Sequence, residues 1–180
     1  MLELIWAEAL SAPFRGLEEF LDAGGPVLYV IFVAAVILWT LIIERYWFFL
    51  RQHPRQCSTY AGEWGRRRDK RSWGARRIRE ELLSRAKLAM TATLPLIKML
   101  IALCPLLGLL GTVTGMIEVF DIMAVKGTAD ARAMASGVSR ATVPTMAGMM
   151  VGISGLFFAT RFDTRVRTET ELLADRLDYT

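Results

Sequence analysis

The sequence predicts an all-α integral membrane protein with three transmembrane helices, the second and third extended into the cytoplasm. Three observations carry this. Residues 26–43, 99–117 and 141–160 contain no charged side chain. Each run spans roughly 27–30 Å as a helix, the hydrocarbon thickness of a bilayer. The chain is 53% hydrophobic with a mean hydropathy of +0.34, high for a soluble protein of 180 residues. Charge is also segregated. Residues 51–94 hold twelve Lys or Arg against four acids, whereas Arg15 alone precedes the first run, against Glu3, Glu8, Glu18, Glu19 and Asp22.

The elements follow in order. Residues 1–25 read as an amphipathic helix on the outer face, broken near Pro13, with Leu2, Ile5, Trp6, Ala9 and Leu10 on its apolar side. Gly24-Gly25-Pro26 reads as a turn, and Pro26 suits a first helical turn. Transmembrane helix 1 covers 26–50 and ends in Glu44-Arg45 and an aromatic belt, Tyr46 to Phe49. Glu44 and Arg45 are adjacent and so point in different directions; they either snorkel to the interface or gate a cytoplasmic mouth.

The basic segment 51–94 starts loosely and becomes helical from Arg76, running without a clear stop into transmembrane helix 2, at 95–122, with kinks at Pro95 and Pro105. A short loop, 123–135, leads to transmembrane helix 3 at 136–160. The tail 161–180 keeps apolar spacing at Phe162, Val166, Leu173 and Leu177 and is expected to pack on the cytoplasmic part of helix 2.

The basic segment belongs on the cytoplasmic side, which puts the N-terminus outside and the C-terminus inside. The cluster at residues 66–71 then answers to topology and anionic lipid headgroups, and the net charge of +4 does not indicate nucleic acid. Cys57 and Cys104 fall in different compartments, so no disulfide is expected. His53 has no carboxylate or thiol cluster beside it and reads as a solvated loop residue. The acidic N-terminus has no basic n-region, so no secretory signal is expected. No nucleophile–base pair, metal cluster or phosphate loop stands in the sequence, so neither an enzyme nor a cofactor is expected.

The informative residues are the small and polar ones inside the apolar runs. Gly108, Gly111 and Gly115 line helix 2; Gly148, Gly152 and Gly155 line helix 3 at steps of four and three. Such spacing lets helices approach closely. Thr112 and Thr145 stand on these glycine-lined faces and suggest a polar seam, although a threonine can also bond its own helix carbonyls. Pro144 leaves the carbonyl of Arg140 without its helical donor. If the threonines share a depth, Glu118 and Arg140 lie about 9 and 7.5 Å further out, nearly level. They are expected to pair, because an unpaired charge in a membrane is expensive.

Glu44-Arg45, the string PLLGLLGTVTG at 105–115 and VSRATVPTMAG at 138–148 resemble the ExbB/TolQ/MotA proton-channel family, on its ExbB side, over roughly residues 28–170. The resemblance implies a ring, commonly of five subunits, around helices of an ExbD-like small membrane protein. Spans two and three would line the pore. Proton flow would drive motion passed through a TonB-like protein to outer-membrane receptors. Thr112 and Thr145 match the family's pore threonines. Arg140 stands where ExbB members often carry a glutamate; a guanidinium stays protonated, so the titrating acid would come from the partner. A TolQ-like or flagellar-stator-like subunit, or a non-conducting oligomeric scaffold, are the alternatives.

Overall fold

The computed structural model describes residues 2–52, 57, 59–60, 62, 64–66, 72–126 and 131–177; the side chains of 2–15, 17–19, 23, 52, 125–126 and 131–133 are outside that description. The apolar face expected for residues 2–10, His53, residues 67–71 of the basic cluster and residues 127–130 of the short loop therefore lie outside the described residues. Among the described residues there is no strand. The helices are α1 (Leu2–Trp47), a π-helical stretch (Phe48–Gln52), α2 (Trp73–Thr91), α3 (Leu94–Lys126) and α4 (Ala131–Arg176). Three segments are long and apolar enough to cross a membrane: Gly24–Arg51, Trp73–Ala124 and Met134–Arg176.

Two expectations change. The backbone of α1 stays helical through Pro13; its break is the expected turn, at Gly25, the one residue inside α1 with non-helical dihedrals (φ 68°, ψ −167°). Proline removes one donor but keeps a helical φ, whereas φ near +68° is strained for any residue with a Cβ. Helix 2 does have a stop: α2 ends at Thr91 and α3 begins at Leu94. Pro95 explains the boundary, being tolerated in a first turn and disfavouring helix just before it. Ser72 caps α2, its Oγ accepting from the Ala75 amide at 3.2 Å.

The chain forms two compact units. Unit 1 comprises residues 1–37 and 100–153. In it Leu21, Leu28 and Ile31 form a buried cluster against Val27, Leu107, Val143 and Ala147. Unit 2 comprises residues 38–99 and 154–180. Its α2 packs on the end of α4 as the tail spacing predicts: Leu82, Ala86, Met90, Phe162, Val166, Leu173 and Leu177 are all buried. Arg79 donates from Nε to the carbonyl of Leu177 and from Nη2 to that of Ala174, both at 2.9 Å, closing the open end of α4. Lys98 and Asp163 form an ion pair at 2.6 Å, and Phe49 stacks on Phe162 at 5.9 Å.

Candidate functional site

In unit 1, α3 and α4 run antiparallel with almost no side chain between them. A Cβ on Gly108 would lie 3.0 Å from the Thr145 Cα, one on Gly115 2.6 Å from the Ala141 Cβ, and one on Gly148 2.5 Å from the Cys104 carbonyl oxygen. Real Cβ contacts are essentially never as short as the last two and seldom as short as the first, so the helix backbones touch as the glycine spacing predicts. Gly155 is buried in unit 2. The prolines complete the fit. The ring of Pro144 fills the hollow at Gly111, and the Pro105 Cγ would meet a Cβ on Gly152 at 3.1 Å. Each helix thus presses its proline into a glycine of the other. Read along one helix, Pro144 and Pro105 are only breakers; their packing role shows in the register between helices.

That register fixes the depth of the polar residues. Gly115 meets Ala141 and Val119 meets Gly137. Thr112 precedes Gly115 by three residues and Thr145 follows Ala141 by four, while Thr145 itself meets Gly108, four residues from Thr112; these contacts set the threonines about 1.5–6 Å apart in depth, within roughly one helical turn. Glu118 and Arg140 are level to within about 3 Å by the same rule. At 3.6 residues per turn, Thr112 and Thr145 each stand about 60° to one side of their contact faces, the same side of the antiparallel pair. Glu118 and Arg140 stand about 60–80° to the opposite side. This is also the side on which α1 packs, through Leu107, Val143 and Ala147. The four residues expected to share one pathway are therefore divided: threonines away from α1, charges toward it.

The expected ion pair is not made. Glu118 and Arg140 are both exposed, and among the described residues no salt bridge joins them.

The threonine hydroxyls donate within their own helices. Thr112 Oγ1 bonds the Leu109 carbonyl at 2.7 Å and Thr145 Oγ1 the Thr142 carbonyl at 2.8 Å. Thr114 and Thr142 behave alike, bonding Leu110 and Ser139. Fixing the donor leaves each oxygen with free lone pairs turned outward. Thr112 and Thr145 are half-buried and stand on the same side of the helix pair, and each oxygen keeps acceptor capacity for a cation or for a group that brings a proton.

In unit 2, Glu44 is exposed, whereas Arg45 is 2% exposed and does not snorkel. Its Nη2 donates to the Ala89 carbonyl at 2.8 Å. Its guanidinium lies 4.7 Å from the Phe48 ring centroid and 5.5 Å from that of Phe49. Arg45 Nε and the nearby helix-boundary hydroxyl Thr93 Oγ1 are buried with no partner. Ala89 is in the last turn of α2, where carbonyls lack helical donors. Arg45 therefore binds the end of the first span to the α2–α3 break, a role its sequence position does not betray. Among the described residues no cluster of His, Cys, Asp and Glu could hold a metal.

Residues 50–175 match the sequence profile described as the MotA/TolQ/ExbB proton channel family. The chain belongs to this family. It is also 32% identical to the putative biopolymer transport protein ExbB-like 1 of Synechocystis, across 92% of this chain and 74% of that protein. It is 40% identical to ExbB-like 3 of the same organism, across 41% of this chain and 40% of that protein. With three candidate spans, this family member is a multi-pass membrane protein.

Proposed function

We propose that this chain is an ExbB-like ion-channel subunit of an inner-membrane motor complex that uses the proton motive force to energise TonB-dependent transport across the outer membrane. The Thr112 and Thr145 oxygens, within about a turn of each other in depth and on the side of α3 and α4 away from α1, support this most directly. An ExbD-like helix carrying a carboxyl group would approach that side. Its protonated form would donate to the threonine oxygens and its ionised form would not, so the seam distinguishes the two states of a carrier it does not itself protonate. In this reading the subunit is not an enzyme, needs no cofactor, and assembles as a ring, five being the family's common number. Its basic segment faces the cytoplasm and anionic lipid, its N-terminus the periplasm, and a TonB-like protein receives the stroke.

The test is proton uptake by liposomes holding the chain with and without an ExbD-like partner. Partner-dependent uptake, lost on combining Thr112→Val and Thr145→Val, is the expected result. Full uptake by the double variant removes the threonine seam from the mechanism. No uptake in any preparation favours the scaffold reading, which the internally satisfied threonine donors also fit.

A further inference from the structure

Unit 1 contains a cleft of about 340 Å³ lined by apolar side chains, among them Leu21, Leu28 and Ile31 of α1 and Met146, Ala147 and Met150 of α4. Its rim is open: Phe32, Met146 and Met150 are exposed. We propose that this cleft holds one acyl chain of a bilayer phospholipid whose phosphate is bound by Arg140.

Size selects the occupant first. A single turn of helix, 5.4 Å tall and at least 10 Å across, takes about 400 Å³, so a neighbouring helix could lie across the open rim but not within the cleft, which suits a slender chain. Taking about 30 Å³ per group, the share of a water molecule in the liquid, it has room for on the order of ten methylenes. It is apolar on all sides, so a hydrocarbon chain fits and a polar ligand does not.

Charge selects the headgroup. Arg140, Val143, Ala147 and Val151 follow at steps of three, four and four and form one stripe of α4, whose last three members line the cleft. Arg140 therefore heads the cleft. It immediately precedes the uncharged run 141–160, which places it where a bilayer carries its phosphates. It is exposed and, among the described residues, in no ion pair. A planar guanidinium with free donors binds phosphate oxygens in pairs. An acyl chain in the cleft and a phosphate at its head are two ends of one molecule, drawn from the leaflet nearest the α3–α4 connection. The inference needs only the membrane placement and stands whether or not the chain conducts.

The experiment uses the purified complex in phosphatidylcholine nanodiscs doped with phosphatidylglycerol bearing a diazirine in mid-chain. Photolysis and peptide mapping should place the adducts at Phe32, Met146 or Met150. Diacylglycerol carrying the same diazirine, which lacks the phosphate, should label these positions about ten-fold less, as should phosphatidylglycerol with Arg140→Gln. Filling the cleft with Met150→Trp should abolish the adducts while leaving Arg140 in place. Equal labelling by the two lipids, or undiminished labelling of Arg140→Gln, overturns the phosphate site. A disulfide between chains carrying Phe32→Cys and Met150→Cys would show that a second copy covers the cleft, and would overturn the proposal outright.

Discussion

Gly148→Ala tests the α3–α4 contact most sharply, because the added atom meets backbone. Its Cβ would sit 2.5 Å from the Cys104 carbonyl oxygen and 3.3 Å from the Gly108 Cα. Ordinary contact needs about 3.4 Å or more, so the helices must part by most of an ångström or bend. Overpacking of this kind costs about 1–3 kcal/mol, and separating the pair also loosens the contacts at Gly108 and Gly111. Against this, alanine in a helix interior is favoured over glycine by about 1 kcal/mol. The net expectation is a loss of up to about 2 kcal/mol, a few degrees in apparent melting temperature for a chain of this size. Gly152→Ala meets the Pro105 ring at 3.1 and 3.3 Å and the Ile101 carbonyl oxygen at 3.4 Å, milder contacts that should cost less than Gly148→Ala; Gly16→Ala meets nothing within 4 Å and should be neutral or slightly stabilising. Thermal unfolding in one detergent, followed by size-exclusion recovery, orders the three. If Gly148→Ala proves as stable as Gly16→Ala, the helices do not touch at Cys104 and the register drawn from them is wrong.

Two further outcomes are expected. Arg45→Met should be tolerated better than Arg45→Ala, because methionine keeps the buried stem and removes a cation whose Nε is unsatisfied, while alanine adds a cavity of about 2–4 kcal/mol; equal stabilities of the two by thermal unfolding would mean that Arg45 is not packed as described. The Cys57 thiol is pushed up by burial and by Glu169, with Arg176 pulling it partly back. An acid raised on folding contributes stability that is complete below its unfolded value, about 8.5, and is lost as pH climbs through the folded one. Maleimide labelling of Cys57, read by mass spectrometry, should therefore set in at higher pH in the folded chain than in denaturant, and at lower pH in Glu169→Gln than in the native chain; coincident folded and unfolded profiles would refute the raised thiol.

The three spans were legible because an uncharged run of bilayer length has few other readings, and the glycine spacing announced a close helix contact. The tail spacing from Phe162 to Leu177 likewise found its partner in α2. The turn at Gly24-Gly25-Pro26 was legible as well, since only glycine takes a positive φ without strain; the further break expected near Pro13 was not made, a proline keeping a helical φ. Two things were not legible, each for a reason of distance along the chain. Arg45 reads as an interfacial charge until Ala89, forty-four residues on, is brought to it. Thr112, Thr145, Glu118 and Arg140 could be ranked by depth from the sequence alone, but which side of the pair each occupies depends on the contact face, and that is set by where the prolines and glycines meet.

The exchange of proline rings and glycine hollows between α3 and α4 acts as a thread cut on two rods. Advancing one helix along the other by a single residue, about 1.5 Å, carries a ring off its hollow and onto backbone. The pair has no easy slip, so a push on one helix moves both. The wall that the two helices form is therefore stiff along its own axis, held by backbone contact and not by side chains that could change rotamer.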